Sequence, residues 1–107
     1  MDLLEEQNLE SLNDYRKSID NIDNAIVAMF AERFKITNKV GFYKADNGLP
    51  ARDEVRENSQ FKRISDLAET YGLDPEFAKE FLKTVIDNVV RNHMEIANNK
   101  SLESHNK

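Results

Sequence analysis

The chain has 107 residues, enough for one domain, with 15 Lys and Arg against 20 Asp and Glu, a net charge of −5 and no cysteine. That charge argues against general affinity for nucleic acid or an anionic membrane; the missing cysteine excludes disulfides and thiolate metal sites and fits a reducing cytoplasm. No apolar run approaches the roughly 20 residues of a membrane span, and the acidic opening has no apolar signal-peptide region.

The two ends, residues 1–9 and 98–107, read as polar, which leaves a core of about residues 10–97 in a single domain. From about Ser11 to Ala45 there is no proline. Leu12, Tyr15, Ile19, Ile22, Ile26, Met29, Arg33, Ile36 and Val40 follow one another in alternating steps of three and four. That is the seam of a long helix packed against others. The turn formers Asp46-Asn47-Gly48-Leu49-Pro50 end it. A helix of roughly 33–36 residues would be about 50 Å long, and a compact domain of this size has a radius of gyration near 13 Å. Its projecting apolar part therefore calls for a second chain, in an intertwined homodimeric helical bundle.

A second helix is expected from near Arg52-Asp53 to Tyr71, with Val55, Ile64, Leu67, Ala68 and Tyr71 facing inward and Gly72 as its stop. Asp74-Pro75-Glu76 reads as the N-cap and first turn of a third, with an apolar stripe from Phe77 to His93 and fraying near Asn98-Asn99. The fold class is all-α: one very long helix and two shorter ones.

The polar residues in apolar places carry the functional information. Arg33 interrupts the seam, and a guanidinium cannot shed its charge. Either a carboxylate of the protein meets it or the bundle holds an anionic ligand. Lys44 lies 11 residues further on and faces the same way, with Val40 between them. Taken alone, it is also a lysine placed by the helix dipole at a C-terminus. Arg16 is rotated by about 100° from Arg33; it pairs with Asp20 at the i, i+4 spacing or, in an antiparallel dimer, approaches Arg33 of the second chain. Asp53, Arg56 and Glu57 share one face of the second helix's first turn, where capping explains the acids better than the arginine. His93 ends the apolar stripe of the third helix, as a core residue or a functional one. With only two histidines and no nucleophile–base pair or cofactor fingerprint, neither a metal nor a cofactor is expected. A site built from these groups works by binding and electrostatics on a small, oxygen-rich anion.

These residues resemble the all-helical chorismate mutase family. Arg16-Lys17-Ser18-Ile19-Asp20-Asn21-Ile22-Asp23 is similar to its opening arginine followed by I-D-x-I-D. Ala31-Glu32-Arg33 is similar to A-E-R, Val40-Gly41-Phe42-Tyr43-Lys44 to V-G-x-x-K, and Pro50 to Glu57 to P-x-R-D-x-x-R-E. The likeness runs from about residue 12 to about residue 96.

The resemblance implies a cytoplasmic isomerase of phenylalanine and tyrosine biosynthesis that rearranges chorismate to prephenate, with no covalent intermediate. It implies that Arg33, and Arg16 from a second subunit, clamp the two carboxylates, supported by Arg56. Lys44 would donate to the ether oxygen and Glu57 accept from the ring hydroxyl, with Asp53 holding the turn. Val40, Ile86 and Val90 match apolar wall positions. Two positions depart from the pattern. Val89 stands where serine is frequent. His93 stands where glutamine or glutamate supplies a second donor to the ether oxygen; a histidine there donates as neutral N–H or as imidazolium. Two alternatives stay open: an isochorismate-pyruvate lyase, which usually lacks the complete R-D-x-x-R-E segment, and a non-catalytic helical dimerisation module.

Overall fold

A computed structural model describes residues 2–105. Three helices follow in order: α1 (Leu3–Asp46), α2 (Glu54–Tyr71) and α3 (Pro75–His105). Among the described residues there is no strand. The all-α reading, the number of helices and their inner ends agree with the sequence analysis; the start of α1 and the end of α3 do not. The chain forms two compact units, Met1–Lys35 and Ile36–Lys107, and α1 contributes to both.

The first unit is helix from Leu3 onward. It starts eight residues before Ser11, because Leu3, Leu4, Glu5, Glu6 and Gln7 are good helix formers and Asp2 accepts a hydrogen bond from the Glu5 N–H at 2.8 Å. The seam residues Leu12, Tyr15, Ile19, Ile22, Ile26 and Met29 are all exposed, by 42–72%.

The second unit holds the end of α1, then α2 and α3. Asp53 caps α2, its carboxylate accepting from the Arg56 N–H at 3.0 Å. Gly72, at φ 71°, closes the helix in the left-handed conformation, and its N–H reaches the Ala68 and Glu69 carbonyls. Asp74 opens α3 by accepting from the Glu76 N–H at 3.0 Å, with Pro75 at the first helical position. The helix does not fray at Asn98-Asn99. It continues to His105, with Lys100 paired to Asp46 of α1 across 2.5 Å. Asn106 and Lys107, the last of the expected polar tail, lie outside the described residues.

Leu82, Ile86 and Val90 of α3 form the centre of the core, with Ala51, Phe61 and Ile64 packed against them. The inner stripe of α2 is therefore 57, 61, 64 and 68 in steps of four, three and four, and Glu57 continues it. Val55 lies off that stripe and is 82% exposed, while Tyr71 at the helix end is 81% exposed. Both were expected to face inward.

Candidate active site

Lys44 stands in the last turn of α1, where its ammonium has three N–H donors and no acceptor. One donates to the Ala51 carbonyl at 3.0 Å and one meets Nδ1 of His93 at 3.3 Å. His93 is 3% exposed, and its Nε2 lies 2.7 Å from the Thr37 carbonyl of α1. That oxygen can only accept, so Nε2 carries the hydrogen. The ring rests on Gly41. A Cβ at that position would stand 2.6 Å from His93 Cδ2 and 2.8 Å from Ile96 Cδ1, distances no methyl tolerates. Glycine inside a helix costs about 1 kcal/mol relative to alanine; here its missing side chain is the seat of the imidazole.

At the start of α2, Arg52 is the hub. Its Nη1 donates to Glu57 Oε1 at 2.5 Å, and its Nη2 lies 3.5 Å from Asp87 Oδ1 on α3. Lys83 donates to the other Asp87 oxygen at 3.0 Å. The Lys83 hydrogen bond, and behind it Arg52, holds the Asp87 carboxyl below the usual carboxylate range. Glu57 has its second oxygen, Oε2, shielded from solvent and without a hydrogen-bond partner among the described residues. A carboxylate oxygen so placed is an acceptor awaiting a donor.

The remaining expected site residues divide. Asp53 and Arg56 are exposed and meet through the cap, carboxylate to backbone N–H. Ile86 and Val90 are buried in the core, Val89 is half-buried and Val40 is exposed. In the first unit, Arg16 is exposed. Arg33 is half-buried, and its Nη1 is shielded without a hydrogen-bond partner among the described residues. The second unit thus brings Lys44 and His93 into contact, a pairing the sequence analysis reached only through the family pattern. The contacts of Arg52, Thr37 and Asp87 were not legible in the sequence. A helical glycine three residues before a lysine was the available signal for a close packing contact at position 41.

Residues 15–94 match the family of chorismate mutase type II. The chain belongs to that family. It is 29% identical over 96 residues to a chorismate mutase of Methanocaldococcus jannaschii, an alignment covering 87% of this chain and 97% of the relative. It is 30% identical over 97 residues to a bifunctional chorismate mutase/prephenate dehydratase of Buchnera aphidicola, covering 91% of this chain and 25% of that protein. A further bifunctional relative, from Aquifex aeolicus, is 37% identical over 65 residues, covering 60% of this chain and 18% of the relative. The chain therefore spans nearly all of the first relative and a quarter or less of the other two. Chorismate mutase is an isomerase activity, and the family membership agrees with the resemblance read from the sequence motifs. Among the described residues there is no helix long and apolar enough to cross a membrane.

Proposed function

We propose that the chain rearranges chorismate to prephenate as a cytoplasmic homodimer of aromatic amino acid biosynthesis. The reaction breaks a C–O bond as a C–C bond forms within one molecule. The protein supplies conformation and charge, not a covalent partner. The Lys44 N–H that neither Ala51 nor His93 engages donates to the ether oxygen as negative charge grows there. Glu57 Oε2 accepts from the ring hydroxyl. Arg33 takes one carboxylate of the dianion, Arg16 of a second copy takes the other, and Arg56 supports the clamp. Asp53 orders the turn that presents Glu57. Val40, Ile86, Val89 and Val90 supply apolar wall.

The observation that carries this reading is the Glu57 carboxylate, with one oxygen fixed by Arg52 and the other shielded and unpartnered. The shielded Arg33 Nη1 supports it from the cationic side, since a buried donor with no partner is costly unless a ligand fills it. The homodimer is supported by the exposed seam from Leu12 to Met29, a continuous apolar stripe of the kind that marks an interaction surface. The decisive experiment follows prephenate formed from chorismate, and pyruvate released from isochorismate, with purified protein. Prephenate without pyruvate is the expected result; pyruvate without prephenate, or neither from folded protein, overturns the proposal.

A further inference from the structure

We propose that His93 is a positioning residue: its neutral, Nε2-protonated ring holds the Lys44 ammonium so that one N–H remains for the substrate, and protonation of the ring disarms the site. The inference rests on the role given above to Lys44. It assigns His93 a place behind the lysine instead of beside it.

The hydrogen bonds define the tautomer. Thr37 O can only accept, so Nε2 carries the hydrogen at 2.7 Å. Lys44 Nζ can only donate, so Nδ1 must present a lone pair at 3.3 Å. A neutral ring with its proton on Nε2 satisfies both. Turning the ring over would place carbon at both contacts, and Gly41 and Ile96 leave the buried ring little room to move. With Nδ1 and the Ala51 carbonyl each taking a Lys44 N–H, the third is without a partner among the described residues. The two acceptors set its direction, as two legs of a tripod set the third.

Imidazolium reverses this. A proton on Nδ1 points a donor at a donor and sets two cations against each other at 3.3 Å. Of the carboxylates on the neighbouring elements, Asp46 on α1 is paired with Lys100 on α3, and Glu57 on α2 engages Arg52 through one oxygen; neither is hydrogen-bonded to the ring among the described residues. Lys44 is the charged side chain hydrogen-bonded to the ring. Its only remedy is to swing away, and the donor meant for the ether oxygen goes with it. The neutral N–H is also committed to Thr37, so the ring has no hydrogen to offer the substrate.

The test has two readouts. The kcat of the unaltered enzyme should fall on acidification, approaching about tenfold per pH unit as His93 takes up its proton, while KM changes less. His93→Gln, which can donate to Thr37 and accept from Lys44 without titrating, should turn over chorismate with the acid limb removed. His93→Ala should lose about 10²-fold in kcat at neutral pH and show no His93 acid limb, so that its deficit narrows on acidification. Nitrogen-15 spectra of the labelled protein, with His105→Gln to assign the signals, should show Nε2 protonated and Nδ1 bare at neutral pH. A rate that is flat or rises on acidification, an acid limb that survives in His93→Gln, or a protonated Nδ1 at neutral pH overturns the inference. The spectrum reads the arrangement without substrate. A protein that made no prephenate would thus fail the proposed function while the tautomer still decided the assignment of His93.

Discussion

Arg52 Nη1 lies 2.5 Å from Glu57 Oε1, and this contact leaves the other Glu57 oxygen shielded and open. The two residues separate a structural from a chemical contribution. Glu57→Gln keeps the shape but weakens the acceptor and exposes Arg52 to a neutral amide. It should lower kcat/KM about 10²-fold. Arg52→Ala should cost about tenfold in kcat/KM and no more than ~1 kcal/mol of stability, since the pair is partly solvated. Steady-state kinetics and urea denaturation of the two variants check both; equal and negligible kinetic effects would remove Glu57 from the site.

Gly41→Ala tests the seat of the imidazole. The gain in helix propensity is about 1 kcal/mol, against a methyl driven into His93 and Ile96. Overpacking of this kind costs roughly 1–3 kcal/mol, so the variant should be destabilised or no better than neutral, and its kcat should fall with the displaced ring. A higher melting temperature with full activity would contradict the packing described.

Arg33→Ala distinguishes an enzyme from a dimerisation module. Removing a shielded, unpartnered guanidinium nitrogen should leave stability unchanged or raise it, while activity drops by several orders of magnitude. Urea midpoints and prephenate formation measured on the same preparation decide it. Lost stability with activity retained would make Arg33 a structural ion instead.

Asp87 gives a pH-dependent stability. Its folded carboxyl is depressed by Lys83 and then Arg52, so it contributes stability above its unfolded pKa and loses it as pH falls through the folded one. Asp87→Asn should therefore unfold slightly more easily than the parent at neutral pH. The difference should close as pH falls below the ordinary carboxylate range and through the depressed folded value. Comparing urea midpoints at the two pH values checks the sign.

Ile22→Glu tests the proposed dimer. A carboxylate in the middle of the exposed seam should convert a dimer into monomers or unfolded chains, seen by sedimentation equilibrium. An unchanged mass would mean that this face serves no self-association.

The helices were legible because their signals are local. Asp53, Gly72 and Asp74-Pro75 mark starts and stops by capping chemistry that needs no tertiary context. The outer ends differ for the converse reason: residues 3–10 are mostly Leu, Glu and Gln, helix formers without an apolar seam, and the end of α3 is tied to α1 by the Lys100–Asp46 pair, which no local signal announces. Lys44 and Arg33 stood out as charges in an apolar seam. The Arg52 hub could not be seen, because its partners are five and 35 residues away and on two different helices. Nor could the bond from His93 to Thr37, since the acceptor is a backbone carbonyl, which every residue type carries.

That last contact has a consequence for which substitutions the chain can absorb. In α1 the Thr37 carbonyl also lies at the position that accepts from the N–H of Gly41, four residues on. One oxygen, through its two lone pairs, serves both the helix and the imidazole. The identity of residue 37 does not enter that bond, since the backbone carbonyl alone makes it. Position 41 depends instead on its residue type, because any side chain there would meet the ring. A backbone requirement and a side-chain requirement thus sit one helical turn apart on α1.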